Sequence, residues 1–424
     1  MTQDVSPESR LPGGLRAFRH REFRLFWMAQ LVSLVGTWMQ SVAQAWLVLE
    51  LTDSPFRLGL VGTLQFTPML LLSFVAGALA DRLPKRRLII AAQAALFVQA
   101  LVLATLVEFG HVEYWHVAVL ALVYGVANTI DMPTRQAFLV EMVGKADLMN
   151  AIALNSGMFN AARIVGPALA GLLIAHWGMA PAFFFNAVSF LPVLGVLAAI
   201  RTEGLPRPRS ARHLGEEIRE GVGYALRTPR ILLTLAMVLA VSAFLFNYNV
   251  TVPLLARDVL HQEARGFGLL MTTLGVGAVA GAVTLAVSRQ GRPPVWALAV
   301  PALVQGAATA LLAAVGSVRP AATLLLIMGF CGILFMAGSN STLQLTVPDD
   351  LRGRVMSLHT LVFAGVTPLG SLMVGSIAET FGVRASLVVS SGGGVAAVLA
   401  LLVWWNGRDR GPSMTAPQRV EGPA

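Results

Sequence analysis

Residues 71–108 read LLSFVAGALADRLPKRRLIIAAQAALFVQALVLATLVE, two apolar runs on either side of one short basic segment. A hydrocarbon core about 30 Å thick requires roughly 20 apolar residues in a helix. Backbone amides in lipid must be paired within the segment, and these runs are far longer than the roughly 10-residue strands of a membrane barrel. The stretch therefore predicts two transmembrane helices joined by a short charged loop.

The same alternation continues along all 424 residues, of which 56% are hydrophobic and 12% charged. A soluble chain carries about twice that charged fraction. The apolar runs predict twelve transmembrane helices and an all-α membrane protein. The predicted spans are 23–49, 58–80, 88–108, 115–134, 151–175, 181–200, 231–256, 266–287, 295–315, 321–343, 356–380 and 385–405.

The positive charge has a one-sided distribution. Of 31 Lys and Arg residues, 25 lie in the tails and the even-numbered loops, five lie on the opposite side, and Arg163 lies inside a helix. This bias follows the positive-inside rule and predicts an inner-membrane protein with both termini in the cytoplasm. The net charge of +9 is then a signal of orientation in the bilayer, and no basic domain points to nucleic-acid binding.

The polar segment 201–230 is the longest break between apolar runs and divides the chain into two halves. Its middle carries apolar residues at helical spacing, which predicts an amphipathic helix at the membrane surface; a solvated spacer is the alternative. The predicted organisation is a cytoplasmic tail (1–22), a six-helix bundle (23–200), the linker (201–230), a second six-helix bundle (231–405) and a disordered cytoplasmic tail (406–424).

Weak internal repeats support two related halves. Gly59 recurs as Gly268, 209 positions later, and Pro167 recurs as Pro368, 201 positions later. Duplicated halves of a transporter give such an offset, and the substrate site of such a protein is expected near the midplane between them.

Helix four places Asn128, Asp131 and Arg135 on one face, at spacings of three and four. Ionisable side chains inside a membrane are costly and rarely face lipid. For Arg135 an alternative is that it only ends the helix at the cytoplasmic surface. The other acids assigned to spans also lie near predicted helix ends, so Asp131 is the candidate for proton coupling.

Helix five reads NAARIVGPALAG over residues 160–171. Arg163 falls about 12 residues into the span, near the bilayer centre. Its insertion costs several kcal/mol, so a partner or a water-filled cavity must offset the charge. A substrate or coupling role is favoured over a structural pairing. Gly166, Pro167 and Gly171 predict bending and close helix packing.

Two further polar sets are candidates for a substrate cavity. Helix one carries a stripe of polar residues at steps of three and four, which predicts a water-lined wall; interhelical hydrogen bonding is the alternative. Helix seven carries Asn247 and Asn249 before Pro253, where a discontinuous helix could line a cavity. The members of the stripe are Gln30, Ser33, Thr37, Gln40 and Gln44.

Several segments resemble motifs of the major facilitator superfamily. Residues 77–87, GALADRLPKRR, resemble its loop signature G-x-x-x-D-R-x-G-R-R/K, and residues 166–171 resemble its antiporter motif G-P-x-x-G-G. With the FRLFW segment at 23–27, GTWM at 36–39 and DMPTRQ at 131–136, the chain resembles the enterobactin-exporter-like branch over residues 16–405.

This resemblance implies a fold of two pseudo-symmetric six-helix bundles that transports a small molecule by alternating access, and a proton-driven exporter. It assigns gating roles to Asp81 and Arg82 of the loop, to Arg135 as a partner for Asp81, and to the Gly166-Pro167-Gly171 segment. A basic anchor at a helix end is the alternative interpretation of the loop.

The sequence has no P-loop, no H-E-x-x-H motif and a single cysteine, so neither a cofactor nor an enzymatic activity is predicted. A central arginine without a central acid favours an anionic or neutral amphiphilic substrate over a cationic one. The expected partners are a small-molecule substrate, protons and the lipid bilayer, and the chain is expected to be monomeric. An uptake symporter or uniporter is one alternative; a membrane receptor or membrane-embedded enzyme is another.

Overall fold

A computed structural model describes residues 13–204, 214–287 and 293–409, and nearly all of these residues are helical. A 3-10 helix, Gly13–Arg19, precedes the first long helix, and a π-helical turn, Leu255–Val259, follows α8. The α-helices are α1 (Arg21–Thr52), α2 (Pro55–Arg82), α3 (Lys85–Glu108), α4 (Tyr114–Trp177), α5 (Ala180–Ala199), α6 (Leu214–Arg227), α7 (Pro229–Phe244), α8 (Tyr248–Leu254), α9 (Ala264–Val287), α10 (Trp296–Leu312), α11 (Val318–Thr346), α12 (Asp349–Phe381) and α13 (Val383–Asp409).

Helix α4 is 64 residues long and accounts for two membrane passages. Gly144 has φ 70° and ψ 174° inside it, a conformation that glycine adopts without steric penalty, and the helix bends there into arms 114–143 and 145–177. Nine helices of the described chain are long and apolar enough to cross a membrane when α4 is counted once. With two arms for α4, and with α2 and the shorter α10 added, the described residues make twelve passages.

The prediction of an all-α membrane protein is thus confirmed. Most helices extend beyond the predicted spans, as α12 does by starting at Asp349 instead of residue 356. Helices can continue past the hydrocarbon core because water and headgroups solvate their polar ends, whereas hydropathy detects only the apolar part.

The two predicted tails are shorter than expected. Residues Gly13–Arg19 form a 3-10 helix whose Ala17 N–H donates to Asn150 Oδ1 at 2.9 Å. Helix α13 continues to Asp409, beyond the predicted boundary at 405. At the N-terminal side, the Ala17–Asn150 hydrogen bond orders a polar segment that hydropathy assigns to a tail. The remaining predictions for the tails concern residues 1–12 and 410–424, which lie outside the described residues.

The predicted linker helix is present as α6, which packs against α7 and α12. Its Ala225 is buried in an apolar cluster with Ile231 and Val355. This favours the helix over the alternative of a solvated spacer. Residues 205–213 of the linker lie outside the described residues, and the domain boundaries stay a prediction.

The apolar clusters define two ends of the molecule. We call the end with the α1–α2 connection outer and the end with the α2–α3 connection inner, following the orientation predicted from charge. In the described chain, one cluster joins residues before the linker to residues after it, for example Val48 to Phe267, and it lies at the outer end. The inner ends have separate clusters, one within residues 17–200 and one within residues 225–355.

Candidate functional site

Helix α2 packs along α12, so these two helices join the halves on one side of the molecule. A Cβ atom built on Gly59 would lie 2.5 Å from the Ser371 carbonyl oxygen, and one on Gly375 would lie 2.6 Å from the Pro55 carbonyl oxygen. Such distances are too short for any side chain, so glycine permits this backbone approach. Thr63 Oγ1 donates to the Pro368 carbonyl oxygen at 2.9 Å within the same interface.

Helix α4 packs along α9 in a second interface between the halves. A Cβ on Gly268 would lie 2.7 Å from the Gly171 Cα and 2.9 Å from the Pro167 carbonyl oxygen. Gly166, on another face of the same arm, lies against Trp38 of α1. The three predicted gating residues of helix five thus pack where this arm meets α1 and the other half.

The two interfaces are related by the internal repeat. Gly59 and Gly268, 209 positions apart, each pack against the helix that carries the repeated proline. Thr63 and Thr272, separated by the same 209 positions, donate to the carbonyl oxygens of Gly59 and Gly268 at 2.9 and 2.8 Å. Repeated residues therefore build both contacts between the halves.

Two charged side chains after the linker hold the α1–α2 connection at the outer end. Arg257 donates to the Leu49 carbonyl oxygen at 2.8 Å, at the C-terminus of α1, and forms an ion pair with Asp53. Glu379 accepts hydrogen bonds from Ser54 Oγ at 2.9 Å and from the Phe56 N–H at 3.2 Å, at the N-terminus of α2. A cation at a helix C-terminus and an anion at an N-terminus complement the helix dipoles.

Two ion pairs among the described residues at the inner end do not cross between the two bundles. Lys85 Nζ lies 2.9 Å from Glu141 Oε1, and Arg86 donates to the carbonyl oxygens of Leu197 and Ala198 at the end of α5. In the other half, Arg354 pairs with Glu220 of α6. Lys85 and Arg86 thus anchor helix ends, in agreement with the alternative interpretation of the loop.

The Asp81 side chain lies outside the described residues, and Arg82 is exposed at the end of α2. The structure pairs Arg135 with Asp131 on its own helix, at 2.8 Å. The predicted partnership of Arg135 with Asp81 stays a prediction.

Asp131 is the most deeply placed carboxylate of helix four. Its side chain is 1% exposed and accepts from Gln93 Nε2 at 3.0 Å, in addition to the pair with Arg135. It lies about 20 Å along the helix from the bend at Gly144, since each residue adds 1.5 Å. The expectation that Asp131 sits near a helix end is wrong, because the arm continues to residue 143 instead of ending at 134. Asn128, on the same face, is half-buried.

Arg163 lies midway along the second arm of α4 and is half-buried. In the described part of the chain no carboxylate pairs with its guanidinium, which lies within electrostatic range of the Tyr248 hydroxyl of the other half. Tyr248 accepts a hydrogen bond from Gln305 Nε2 at 2.7 Å. The backbone of Arg163 packs against Gly275 of α9.

The polar stripe of α1 has a largely structural environment. Gln40 Nε2 donates to Gln99 Oε1 at 3.1 Å, and Gln40 Oε1 accepts from Asn186 Nδ2 at 2.6 Å, so one amide joins α1, α3 and α5. Four stripe members are buried: Gln30, Ser33, Gln40 and Gln44. The water-lined wall is therefore wrong for Gln40, where neighbouring amides satisfy the side chain. Thr37 is half-buried and donates to the Ser33 carbonyl oxygen.

The predicted discontinuity of helix seven is present between α7 and α8. Asn247 precedes α8 but is buried: its Nδ2 donates to the Ala243 carbonyl oxygen at 2.9 Å and its Oδ1 accepts from Ser371 Oγ at 3.4 Å. Asn249, two residues on, is exposed. The two asparagines therefore have different environments, and only Asn249 has a freely accessible side chain.

Sequence reasoning missed Gln93, Gln305 and Tyr248 as partners of the candidate charges. Each is polar within an apolar run, a signal visible in the sequence. Their pairing with Asp131 or Arg163 depends on contacts across helices far apart in the chain.

Comparisons with known proteins agree with this architecture. The family model described as transmembrane secretion effector matches residues 13–414. A staphyloferrin A transporter of Staphylococcus aureus is 25% identical over 85% of this chain and 90% of its own length. The multidrug efflux pump Tap of Mycolicibacterium fortuitum is 29% identical over 87% of this chain and 91% of its own length.

Solved structures share the fold at low sequence identity. A bacterial homologue of the human lysosomal transporter Spinster superposes with a TM-score of 0.70 at 13% identity, over 94% of this chain and 96% of that one. The nucleoside transporter NupG gives a TM-score of 0.69 at 12% identity, over 91% and 99%. The protein is a transporter and not an enzyme, and it belongs to the transmembrane secretion effector family, within the efflux branch of the major facilitator superfamily.

Proposed function

We propose that this protein exports a small amphiphilic or anionic molecule across the cell inner membrane in exchange for protons, by alternating access. One observation carries the proposal: among the described residues the halves share an apolar cluster at the outer end, and Arg163, without a carboxylate partner among these residues, packs against Gly275 of the other half. This arrangement supports a state that is closed outside and receives its cargo from the cytoplasm. We further propose a monomer with both termini in the cytoplasm.

The proposed cavity contains Arg163 with Thr37, Asn128 and Asn249. Their half-buried or exposed side chains support this role. Arg163 lacks a carboxylate partner among the described residues, so an anionic group of the cargo would supply the missing counter-charge. The names of the relatives, a siderophore transporter and a multidrug efflux pump, support export of an organic molecule of this kind.

Asp131 is the proposed proton carrier. The carboxylate is almost inaccessible and has Arg135 and Gln93 as partners, so its protonation would remove the charge that holds Arg135 and change the contacts nearby. Intramembrane ionisable residues of transporters commonly form proton relays. An acid that alternates between such a pair and a protonated state can link proton movement to the position of α4.

Gating is proposed to use the two glycine interfaces at the outer end, with Gly166, Pro167 and Gly171 in α4, and the Asp81-Arg82 loop with Arg135 at the inner end. Opposite ends would then open in alternation as the halves rock about the cavity. The close backbone contacts of Gly171 support the first gate.

Energised vesicles of both orientations test the direction of transport. We expect everted vesicles to accumulate labelled siderophores or amphiphilic drugs under an inside-acid proton gradient, and a protonophore to abolish the accumulation. Asp131→Asn is expected to abolish the gradient-driven component while downhill exchange continues. Accumulation only in right-side-out vesicles would instead establish uptake, and gradient-independent transport would establish a uniporter.

A further inference from the structure

The interruption between α7 and α8 places a polar pair midway along two membrane-spanning helices. Gln305 of α10 is fully buried, and its Nε2 donates to the Tyr248 hydroxyl oxygen at 2.7 Å and to the Leu245 carbonyl oxygen at 3.2 Å. Leu245 ends α7, so this bond satisfies a backbone group near the break. Because the Tyr248 oxygen serves as the acceptor, its own hydrogen is left for another partner.

Arg163 approaches this pair from the other half of the molecule. Its backbone packs against Gly275 of α9. Its guanidinium lies within electrostatic range of the Tyr248 hydroxyl, and among the described residues no carboxylate pairs with it. A guanidinium has five N–H donors and no acceptor. Each half thus contributes a hydrogen-bond donor to this region, and the donor from Arg163 is charged. Among the described residues no carboxylate pairs with either donor. Such a region attracts an oxyanion and repels a cation.

Aromatic rings flank these donors. The Phe246 ring packs edge-on against Tyr248, with centroids 5.7 Å apart, and against Phe363 at 6.0 Å. Phe246 and Phe363 are only partly buried, whereas Phe335 behind them is fully buried. The partly buried rings offer a flat apolar surface beside the polar centre.

In the first half, the aromatic ring of Phe159 lies close to Arg163 along the helix. Phe159 lies one helical turn before Arg163, is 47% exposed, and packs edge-on against Trp38 at 5.7 Å. Residues four apart share a helix face, so an apolar surface accompanies the guanidinium on that side as well.

We propose that the central site binds an aromatic organic acid, with the carboxylate bridging the Arg163 guanidinium and the Tyr248 hydroxyl and the ring against Phe246 and Phe363. Gln305 is a positioning residue that turns the Tyr248 hydrogen towards the ligand. Because Arg163 and Tyr248 belong to different halves, a bridging carboxylate stabilises the states in which they are close. The role of this site in transport rests on the proposed function, but the binding does not.

Thermal stability of the purified protein tests the site with three probes of similar shape: naphthoate, its neutral amide and the cation naphthylmethylammonium. A ligand of the folded state raises the melting temperature by mass action. We expect naphthoate to stabilise the wild type and the other two probes to have little effect. An equal shift with the amide or the cation, or no shift with naphthoate, overturns the proposal without any variant.

Two variants locate the binding. Tyr248→Phe removes one hydroxyl and should weaken naphthoate binding about tenfold, and Arg163→Gln should weaken it by about tenfold or more, as expected for lost charge-assisted hydrogen bonds. Tyr114→Phe is the matched control, because that hydroxyl donates to the Arg57 carbonyl oxygen at the outer end. Unchanged naphthoate affinity in both site variants overturns the proposal.

Vesicle assays separate this inference from the proposed function. If naphthoate binds with the predicted charge selectivity but everted vesicles do not accumulate it, the site stands and export of this acid fails. Everted vesicles could instead accumulate naphthoate although the three probes bind equally well and neither Tyr248→Phe nor Arg163→Gln weakens binding. In that case export stands and the assigned site is wrong.

Discussion

The outer and inner ends of this transporter are held together by different kinds of contact. At the outer end the two halves share one apolar cluster, and glycine backbones touch across both interfaces. At the inner end the described residues form a separate cluster in each half, with the ion pair Lys85–Glu141 in the first and Arg354–Glu220 beside the second. In the proposed cycle, the contacts that break and the contacts that maintain each half are therefore made of different residues.

The difference has a physical basis. Glycine contacts and helix-end hydrogen bonds act over short distances and bury few polar atoms, so they can separate without leaving a charge stranded in lipid. Breaking the Lys85–Glu141 pair would leave the charge of a nearly buried lysine with less compensation. Reversible gating is therefore expected at the glycine contacts and helix-end hydrogen bonds. Removal of an ion pair such as Lys85–Glu141 is expected to lower stability.

The largest expected effect comes from side chains added at the glycine interfaces. In Gly59→Ala with Gly268→Ala, the new Cβ atoms would lie 2.5 Å from the Ser371 carbonyl oxygen and 2.7 Å from the Gly171 Cα, so the helices must move apart. Overpacking costs about 1–3 kcal/mol per site, enough to change the ratio of outer-closed to outer-open states by tenfold or more at about 1.4 kcal/mol per decade. Gly157→Ala is the matched control, because its Cβ would meet nothing within 4 Å.

Spin-label distances measure this shift. Labels at the exposed Phe109 and Phe381 report on the outer end, and labels at the exposed Met149 and Val287 report on the inner end, in a Cys331→Ser background. We expect the outer distance to lengthen and the inner distance to shorten. A lower melting temperature with unchanged distances would mean that the glycines serve folding alone.

Removal of an ion pair at the inner end should lower stability without changing the spin-label distances, in contrast to the glycine variants. Glu141→Gln leaves Lys85, 6% exposed, without this carboxylate, and we expect the free energy of unfolding to fall by about 2 kcal/mol, less than for a fully buried pair because Glu141 is 16% exposed. The same spin-label pairs should report unchanged distances. Glu108→Gln, at an exposed helix end, is the control for the melting temperature. A change in distance with unchanged stability would contradict the division of roles.

A smaller shift is expected from the charged contacts across the outer end. Glu379→Gln and Arg257→Gln weaken the interactions with the ends of α2 and α1, each by about 0.3–1 kcal/mol, because the groups are partly or largely exposed. The distance between the labels at Phe109 and Phe381 should lengthen in a smaller fraction of molecules than with the glycine variants. High salt should reproduce part of the Arg257 effect, since Asp53 is 84% exposed. Arg384→Gln, exposed at the same end, should change nothing.

The smallest effect concerns acid stability at the inner surface, beyond the bend of α4. Asp147 Oδ2 lies 2.8 Å from His20 Nε2 and 2.7 Å from Arg19 Nη2. The hydrogen bond with His20, with help from Arg19, holds the pKa of Asp147 below its usual 3.8. A lowered pKa stabilises the fold above pH 3.8, and this contribution disappears as the pH falls through the lowered value.

We therefore expect wild type to exceed Asp147→Asn in melting temperature by a constant margin between pH 7 and pH 5. The margin should shrink below pH 3.8 as the carboxylate becomes protonated in both states. A margin that grows in acid would contradict the assignment.

Asp131 of helix four shows where sequence reasoning reached its limit. Hydropathy found the helix but ended it at residue 134, because Arg135 and later polar residues lowered the apolar signal. The helix continues to the bend at Gly144, which places Asp131 well inside. The polar stripe of α1 failed in a related way: the spacing put five side chains on one face, but only the neighbours of that face, Gln99 and Asn186 for Gln40, determine whether it meets water or amides.

The sequence by itself determined the class of protein, because the lengths of its apolar runs match the thickness of the bilayer. The one-sided distribution of arginines predicts the orientation. The motifs and the repeat near 209 residues indicate the superfamily and its two halves. Glycines in the repeat also marked the places where helices approach closely. Only the tertiary structure decided at which end the described parts of the halves share an apolar cluster, and that Arg163 lies near Tyr248 with no carboxylate partner among the described residues. Both depend on packing between helices about 100 residues or more apart in the chain, and helical periodicity identifies a face of a helix but not the surface it contacts.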